Sequence, residues 1–169
     1  MIASIDEIDE RAELIRSGTV WKNVEQNLIA VNEIGIHVSP YITVSAMNVF
    51  RIPEIIDRMI AIGVIKQGNE NWKNFELNIL TAPAEFHVCI LPDNERKKIH
   101  IRLENYINDY EGKHCVEIRD HFVPLLWHLE KPWNEKNCLK FKEFTNAIDR
   151  IRGENTLDII PELKCVLGP

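Results

Sequence analysis

Two hydrophobic rhythms take turns along the first 92 residues. Between Ile36 and Ala46 the alternation is strict, with Ile36, Val38, Pro40, Ile42, Val44 and Ala46 at even positions and His37, Ser39, Tyr41, Thr43 and Ser45 between them. That period of two predicts a strand with one greasy face. Residues 20–34 instead place Trp21, Val24, Leu28 and Val31 on a helical stripe, with Thr19 as N-cap and Gly35 as stop. A second helix opens at Ile52-Pro53-Glu54, carries Met59 and Ile60, and stops at Gly63. Residues 74–80 alternate again, with Glu76 and Asn78 on the polar side, after a polar loop between Lys66 and Trp72. At the front, Ser4 to Trp21 reads as a strand end, an acidic turn, and a helix closing in Ile15-Arg16-Ser17-Gly18.

Strand, helix, strand, helix, strand is the order of a parallel sheet built through right-handed crossovers. A parallel strand covered on both faces would be almost continuously apolar, so the polar odd face of 36–46 suits a barrel wall whose inner side meets a polar ligand. An antiparallel strand with one wet face is the alternative, and Pro40 would then mark an edge or a bulge. Beyond Phe86-His87-Val88-Cys89-Ile90-Leu91-Pro92 the pattern becomes helical. Residues 94–110 carry Ile99, Leu103, Tyr106 and Ile107 on one face, with Asp93 as candidate cap. Residues 115–130 hold Pro124, which should kink that helix or displace its start, and residues 136–152 align Phe141, Phe144, Ile148 and Ile151. The expected fold is α/β: residues 1–92 form the C-terminal part of a partial (β/α) barrel, and residues 93–169 form a helical extension capping it.

Composition narrows the function classes. A net charge of −6 and a pI near 5.5 disfavour nucleic-acid binding. The run Arg96-Lys97-Lys98, faced by Asp93 and Glu95, reads as a solvated helix face. No apolar run approaches the roughly 18 residues of a membrane span, and the first residues carry Asp and Glu where a signal peptide carries Lys and Arg, so a cytoplasmic location is expected. Cys89, Cys115, Cys138 and Cys165 lack the grouped spacing of a zinc or iron–sulfur site. His114, His121 and His128 are seven apart but have no carboxylate or cysteine at ligand spacing, so no metal site is expected. Hydrolase and nucleotide-loop motifs are missing, and Asp149 and Glu154 read as solvated helix-end carboxylates.

Several strings in order then carry a resemblance: S-I-D at 4–6, E-L-I-R-S-G-T-V-W at 13–21, N-L at 27–28, H-V-S-P-Y-I-T-V-S-A-M-N-V at 37–49, L-N-I-L-T-A-P at 77–83, I-L-P at 90–92, and I-D-R-I-R-G-E-N-T-L-D-I-I-P-E-L at 148–163. Together these strings, which cover most of the chain, resemble radical S-adenosylmethionine enzymes of the twitch type, related to the SPASM group. The resemblance implies a partial barrel with S-adenosylmethionine across the carboxyl ends of its strands. Ser4, after the fourth strand, would then meet the methionine part, and Arg16 would pair with its carboxylate. Asp6 would hold the turn and orient Ser4, Asn48 would touch the ribose or adenine edge, and Leu80 would pack near the adenine. Tyr41, Glu76 and Asn78 would face the substrate. On the residues alone, Ser4 and Asp6 could equally cap a helix, and Arg16 could be a helix-end cation.

The chain departs from the family in one large respect. The C-x3-C-x2-C run that holds the 4Fe-4S cluster is not in the sequence, and Met1 falls after the place where it should stand. The expectation is therefore a C-terminal portion, inactive alone, whose cluster comes from a missing N-terminal half or a companion chain. In the intact enzyme a 5′-deoxyadenosyl radical would act on a peptide or small-molecule substrate. A non-catalytic α/β binding or interaction module is the alternative.

Overall fold

The computed structural model describes residues 1–66, 75–114 and 117–168. Three strands, β1 (Ile2–Ser4), β2 (Ser39–Val44) and β3 (Glu76–Ile79), pair in the order β1-β2-β3, and both pairings are parallel. The antiparallel alternative is thereby excluded for β2. Helices α1 (Asp9–Ile15) and α2 (Trp21–Glu33) fill the first crossover, and a 3-10 turn at Val49–Arg51 followed by α3 (Ile52–Ala61) lies in the second. The expected loop between Lys66 and Trp72 lies largely outside the described residues.

Register places Ala3, Pro40, Ile42, Val44, Leu77 and Ile79 on one face, and Ser4, Ser39, Tyr41, Thr43, Glu76 and Asn78 on the other. Ile42 and Val44 are fully buried, whereas Ser4, Tyr41, Glu76 and Asn78 are exposed. The even-odd division holds within Ser39–Val44, where the apolar face carries the core, but not at its flanks, since Ile36 is exposed and Ser45 is buried. Pro40 marks neither a bulge nor an edge, because it stands in the central strand just ahead of the first β2–β3 partners, Tyr41 and Glu76. Its missing N–H therefore falls outside that ladder.

Helix α3 shows why the helices stay. Ile52, Ile55, Ile56 and Met59, at helical spacing, are all fully buried, and each such side chain contributes about 1.5–3 kcal/mol of burial. Helix α2 starts differently from expectation. Its N-cap is Val20 and not Thr19, and the free amide of Trp21 donates to Glu13 Oε1 at 3.0 Å. The carboxylate of the preceding helix supplies the acceptor that a cap hydroxyl would have supplied. Gly35 follows α2 with φ of 83°, in the left-handed region that glycine enters without strain.

Downstream come α4 (Asp93–His114), α5 (Arg119–Leu129), α6 (Glu135–Arg152) and the short α7 (Thr156–Ile159) and α8 (Lys164–Leu167). The segment 86–92 is turned, with 3-10 turns at Ala84–Phe86 and Val88–Ile90, so it adds no fourth strand. Helix α5 packs on β3, α4 on α5, and α6 on those two turns. One hydrophobic cluster joins Ile42 and Phe75 of the sheet region to Leu103, Phe122 and Phe141 of the helices. Pro124 is tolerated six residues into α5, whose start lies at Arg119. Cys115 and Val116 lie outside the described residues.

Arg96 corrects a sequence expectation. It is 4% exposed, and its guanidinium donates to the carbonyls of Leu91 at 3.0 Å, Leu129 at 2.6 Å and Lys131, and to the Asp93 carboxylate. The residue is a buried tether between the start of α4 and the end of α5. Asp93 is the first residue of α4 and spends its carboxylate on Arg96, so it does not cap the helix.

Candidate functional site

The carboxyl ends of β1 and β2 converge on one knot of hydrogen bonds. Asn48, fully buried after β2, donates through Nδ2 to the carbonyls of Asp6 and, at 2.8 Å, Thr43. Its Oδ1 accepts from the Ser45 amide at 2.8 Å. Asn48 thus ties the loop after β1 to the loop after β2. Its amide is spent on backbone, so it reaches a ligand only through the loops it shapes.

Ser4, Asp6 and Arg16 meet beside that knot. The Arg16 Nε donates to Asp6 Oδ2 at 2.5 Å and its Nη2 to Ser4 Oγ at 2.9 Å. Helix α1 has Ile8 at its N-cap with no side-chain cap bond, so neither Ser4 nor Asp6 caps it. The guanidinium is half exposed, whereas Asp6 Oδ1 is buried with no hydrogen-bond partner. Such an acceptor away from water is costly unless a ligand or solvent donor reaches it.

A cleft of about 400 Å³ opens next to this cluster, within the roughly 300–1,000 Å³ usual for small-molecule sites. Its strand-side wall is Asp6, Arg16, Thr43, Ser45, Met47 and Leu80. The opposite wall is one face of α6: Phe144, Thr145, Ile148, Asp149 and Arg152. Phe86 lies between them and meets Phe141 and Phe144 edge-on, each at 5.3 Å between centroids. The arrangement matches the rule that parallel sheets bind ligands beyond the carboxyl ends of their strands.

Of the sequence-selected residues, Ser4, Asp6, Arg16 and Leu80 stand at or beside this cleft. Tyr41, Glu76 and Asn78 do not line it; they sit lower on the open polar face, Tyr41 pairing in register with Glu76 and Thr43 with Asn78. The α6 wall was only half visible beforehand. Phe144 and Ile148 belonged to an apolar stripe, but Ile151 of that stripe is 80% exposed and Arg152 was not singled out. Asp149 is not a solvated helix-end carboxylate, since its two oxygens accept from the Thr156 amide at 2.9 Å and hydroxyl at 2.7 Å.

Two groups near the site have displaced titrations. Burial pushes the Glu7 carboxyl up to about 7, against the opposing pull of the Ile8 amide and of Arg51 and Arg11. His87 is pushed down to about 4 by burial, then by His128, Lys131 and Arg96. Its Nδ1 accepts from the Cys89 amide at 3.1 Å, so its Nε2 carries the proton shared with His128 Nδ1 at 2.6 Å.

No group of His, Cys, Asp or Glu among the described residues is arranged to hold a metal ion. Cys89, Cys138 and Cys165 are free thiols, and no described helix is long and apolar enough to cross a membrane. The described residues therefore do not fit a 4Fe-4S cluster. The cleft lining offers an exposed guanidinium, a buried carboxylate oxygen with no hydrogen-bond partner, and an apolar flank. No protein-family model, curated protein or solved structure matches this chain.

Proposed function

We propose that the cleft is the S-adenosylmethionine-binding wall of a radical S-adenosylmethionine enzyme, and that this chain supplies the C-terminal strands of its partial barrel together with a helical cap. The observation that carries the reading is the Ser4–Arg16–Asp6 cluster at the carboxyl end of β1, beside a cleft of small-molecule size. The monotonic strand order is compatible with it, as a barrel wall adds each strand on the same side, although one half of a doubly wound sheet has the same order. The open polar face of the sheet supports it, as expected of a wall that faces a lumen.

In this reading Arg16 receives the ligand's carboxylate on its exposed side while Asp6 and Ser4 fix the plane of its fork. Asp6 Oδ1 accepts a donor from the ligand, and Leu80 and Phe86 flank the adenine. Residues Phe144 and Ile148 of α6 exclude water from above. A bound S-adenosylmethionine would supply the radical precursor; the described residues hold no cluster, so its reductant would have to come from a companion part. The substrate is a peptide or small molecule.

S-adenosylhomocysteine, a stable analogue, tests this by isothermal titration on the chain itself. Binding is expected, with Arg16→Ala weakening it at least about tenfold, as loss of a charge-assisted hydrogen bond does. An absence of heat with the folded chain, or an affinity indifferent to Arg16→Ala, rejects the reading. A non-catalytic binding module is the second reading, favoured by the continuous core that joins sheet and helices. The two separate on reconstitution with the cluster-bearing part, which alone restores cofactor cleavage in the first.

A further inference from the structure

The α6 wall of the cleft is graded. Phe144, Ile148 and Arg152 lie at four-residue spacing, with Thr145 and Asp149 beside them, so two apolar turns lead to a cation at the helix end. The four ionisable groups lining the cleft are not equivalent. Arg16 and Asp6 are paired with each other on the strand side, and Asp149 gives both oxygens to Thr156. Arg152 is different: its Nη1 donates to the Leu14 carbonyl at 3.0 Å, and the Glu154 carboxylate stands 3.7 Å away on the exposed rim. A guanidinium has five N–H donors in a planar fork, so these two partners leave donors for a ligand. The Leu14 bond also holds the fork in place before anything binds, which lowers the ordering cost of recognition.

We infer that Arg152 selects the second molecule of the site, a small carboxylic acid whose apolar body lies along Phe144 and Ile148 and whose carboxylate meets the guanidinium. This rests on the cleft reading above, with the nucleotide on the strand side and the acid on the α6 side. A carboxylate fits better than a neutral amide because only the anion accepts two parallel N–H bonds from the fork and compensates the charge of a guanidinium drawn partly out of water.

The experiment titrates the full chain with 4-phenylbutanoate and with its neutral isostere 4-phenylbutanamide, following amide shifts by NMR. The acid is expected to bind about tenfold more tightly than the amide, to perturb residues of α6, and to lose that advantage in Arg152→Gln while Arg152→Lys keeps part of it. Equal affinities for acid and amide overturn the proposal, as does a preference that survives Arg152→Gln and disappears in Arg16→Gln. Should Arg152→Gln fail to fold through loss of the Leu14 anchor, the acid-against-amide comparison in the native chain and the Arg152→Lys titration decide. Failure of the two readings is distinguishable: S-adenosylhomocysteine binding unaltered in Arg152→Lys alongside no acid preference rejects only the role of Arg152, whereas acid selectivity without S-adenosylhomocysteine binding rejects the nucleotide assignment.

Discussion

Glu7 offers the sharpest quantitative test of the strand-end architecture. Its side chain is fully buried; Oε1 accepts from the Ile8 amide at 3.0 Å and faces Arg51 Nε at 3.9 Å, while Oε2 has no hydrogen-bond partner. Burial raises its pKa from 4.5 to about 7. At about 1.4 kcal/mol for each tenfold change in proton affinity, that rise corresponds to about 3 kcal/mol between the protonated and ionised folded states. In the unfolded chain the proton leaves near pH 4.5, whereas the native chain keeps it to about pH 7, so the native state binds more protons in that window. Stability should therefore fall as pH rises from about 4.5 to 7, with the whole penalty present at pH 8. Glu7→Gln keeps an acceptor for Ile8 and abolishes the titration. Urea unfolding should find the variant equal to the native chain at pH 4.5 and more stable by about 3 kcal/mol at pH 8, the attraction of Arg51 and Arg11 being already contained in the net rise. A variant less stable than the native chain at pH 8 would refute the reasoning, because Glu7 would then be stabilised as an ion by Arg51.

Three further outcomes follow from the same geometry. His87 has the opposite sign: its folded pKa of about 4 lies below the unfolded 6.5, so its contribution is present above pH 6.5 and is lost as pH falls toward 4. Because the ring is only half buried, we expect about 1 kcal/mol rather than the full shift, seen as a stability advantage of the native chain over His87→Gln that shrinks by that amount between pH 7 and pH 4.5, on top of the larger opposite trend from Glu7. Asn48→Ala strands the carbonyls of Asp6 and Thr43 and the Ser45 amide, and should cost about 3 kcal/mol in urea unfolding while weakening S-adenosylhomocysteine binding in the folded fraction. Phe141→Ala removes a fully buried ring from the seat of α6 on the turn at Phe86, which should cost about 3–5 kcal/mol by thermal or urea unfolding.

How much of this was legible beforehand depended on whether a residue's role is written in its neighbours along the chain. The strand 39–44 was readable because a face buried against helices leaves a period of two, and α3 because Ile52, Ile55, Ile56 and Met59 repeat at helical spacing. Ser4, Asp6 and Arg16 are grouped in the sequence by a resemblance alone, and nothing local says that Arg16 turns toward Asp6 rather than to its own helix end. Arg96 was misread because a basic run beside acidic residues looks solvated; the carbonyls that draw it inside belong to Leu129 and Lys131, more than thirty residues away. Thr19 lost the cap of α2 to Glu13 for a similar reason, since packing two short helices together brings a carboxylate to the free amide. Tyr41, Glu76 and Asn78 share the correct face with Thr43, but a face does not tell how far along the strand the cleft begins.

The same logic explains why the cleft cannot be assigned to either half of the chain. Its floor draws on residues 6–16, 43–47 and 80, and its roof on residues 144–156. The roof and the turn that follows it are each tied to one helix: Arg152 to the carbonyl of Leu14, and Arg11 to both oxygens of Glu162 at 3.0 Å. Both ties end on α1, whose C-terminus also positions Arg16 against Asp6. Helix α1 is thus the common reference for the strand-side cation and the α6 cation, so the distance between Arg16 and Arg152 is set by one rigid element of seven residues. A site that must hold two ligands in a fixed relation needs such a reference. Placing both guanidiniums on opposite ends of the sheet would have left their separation to loop motion.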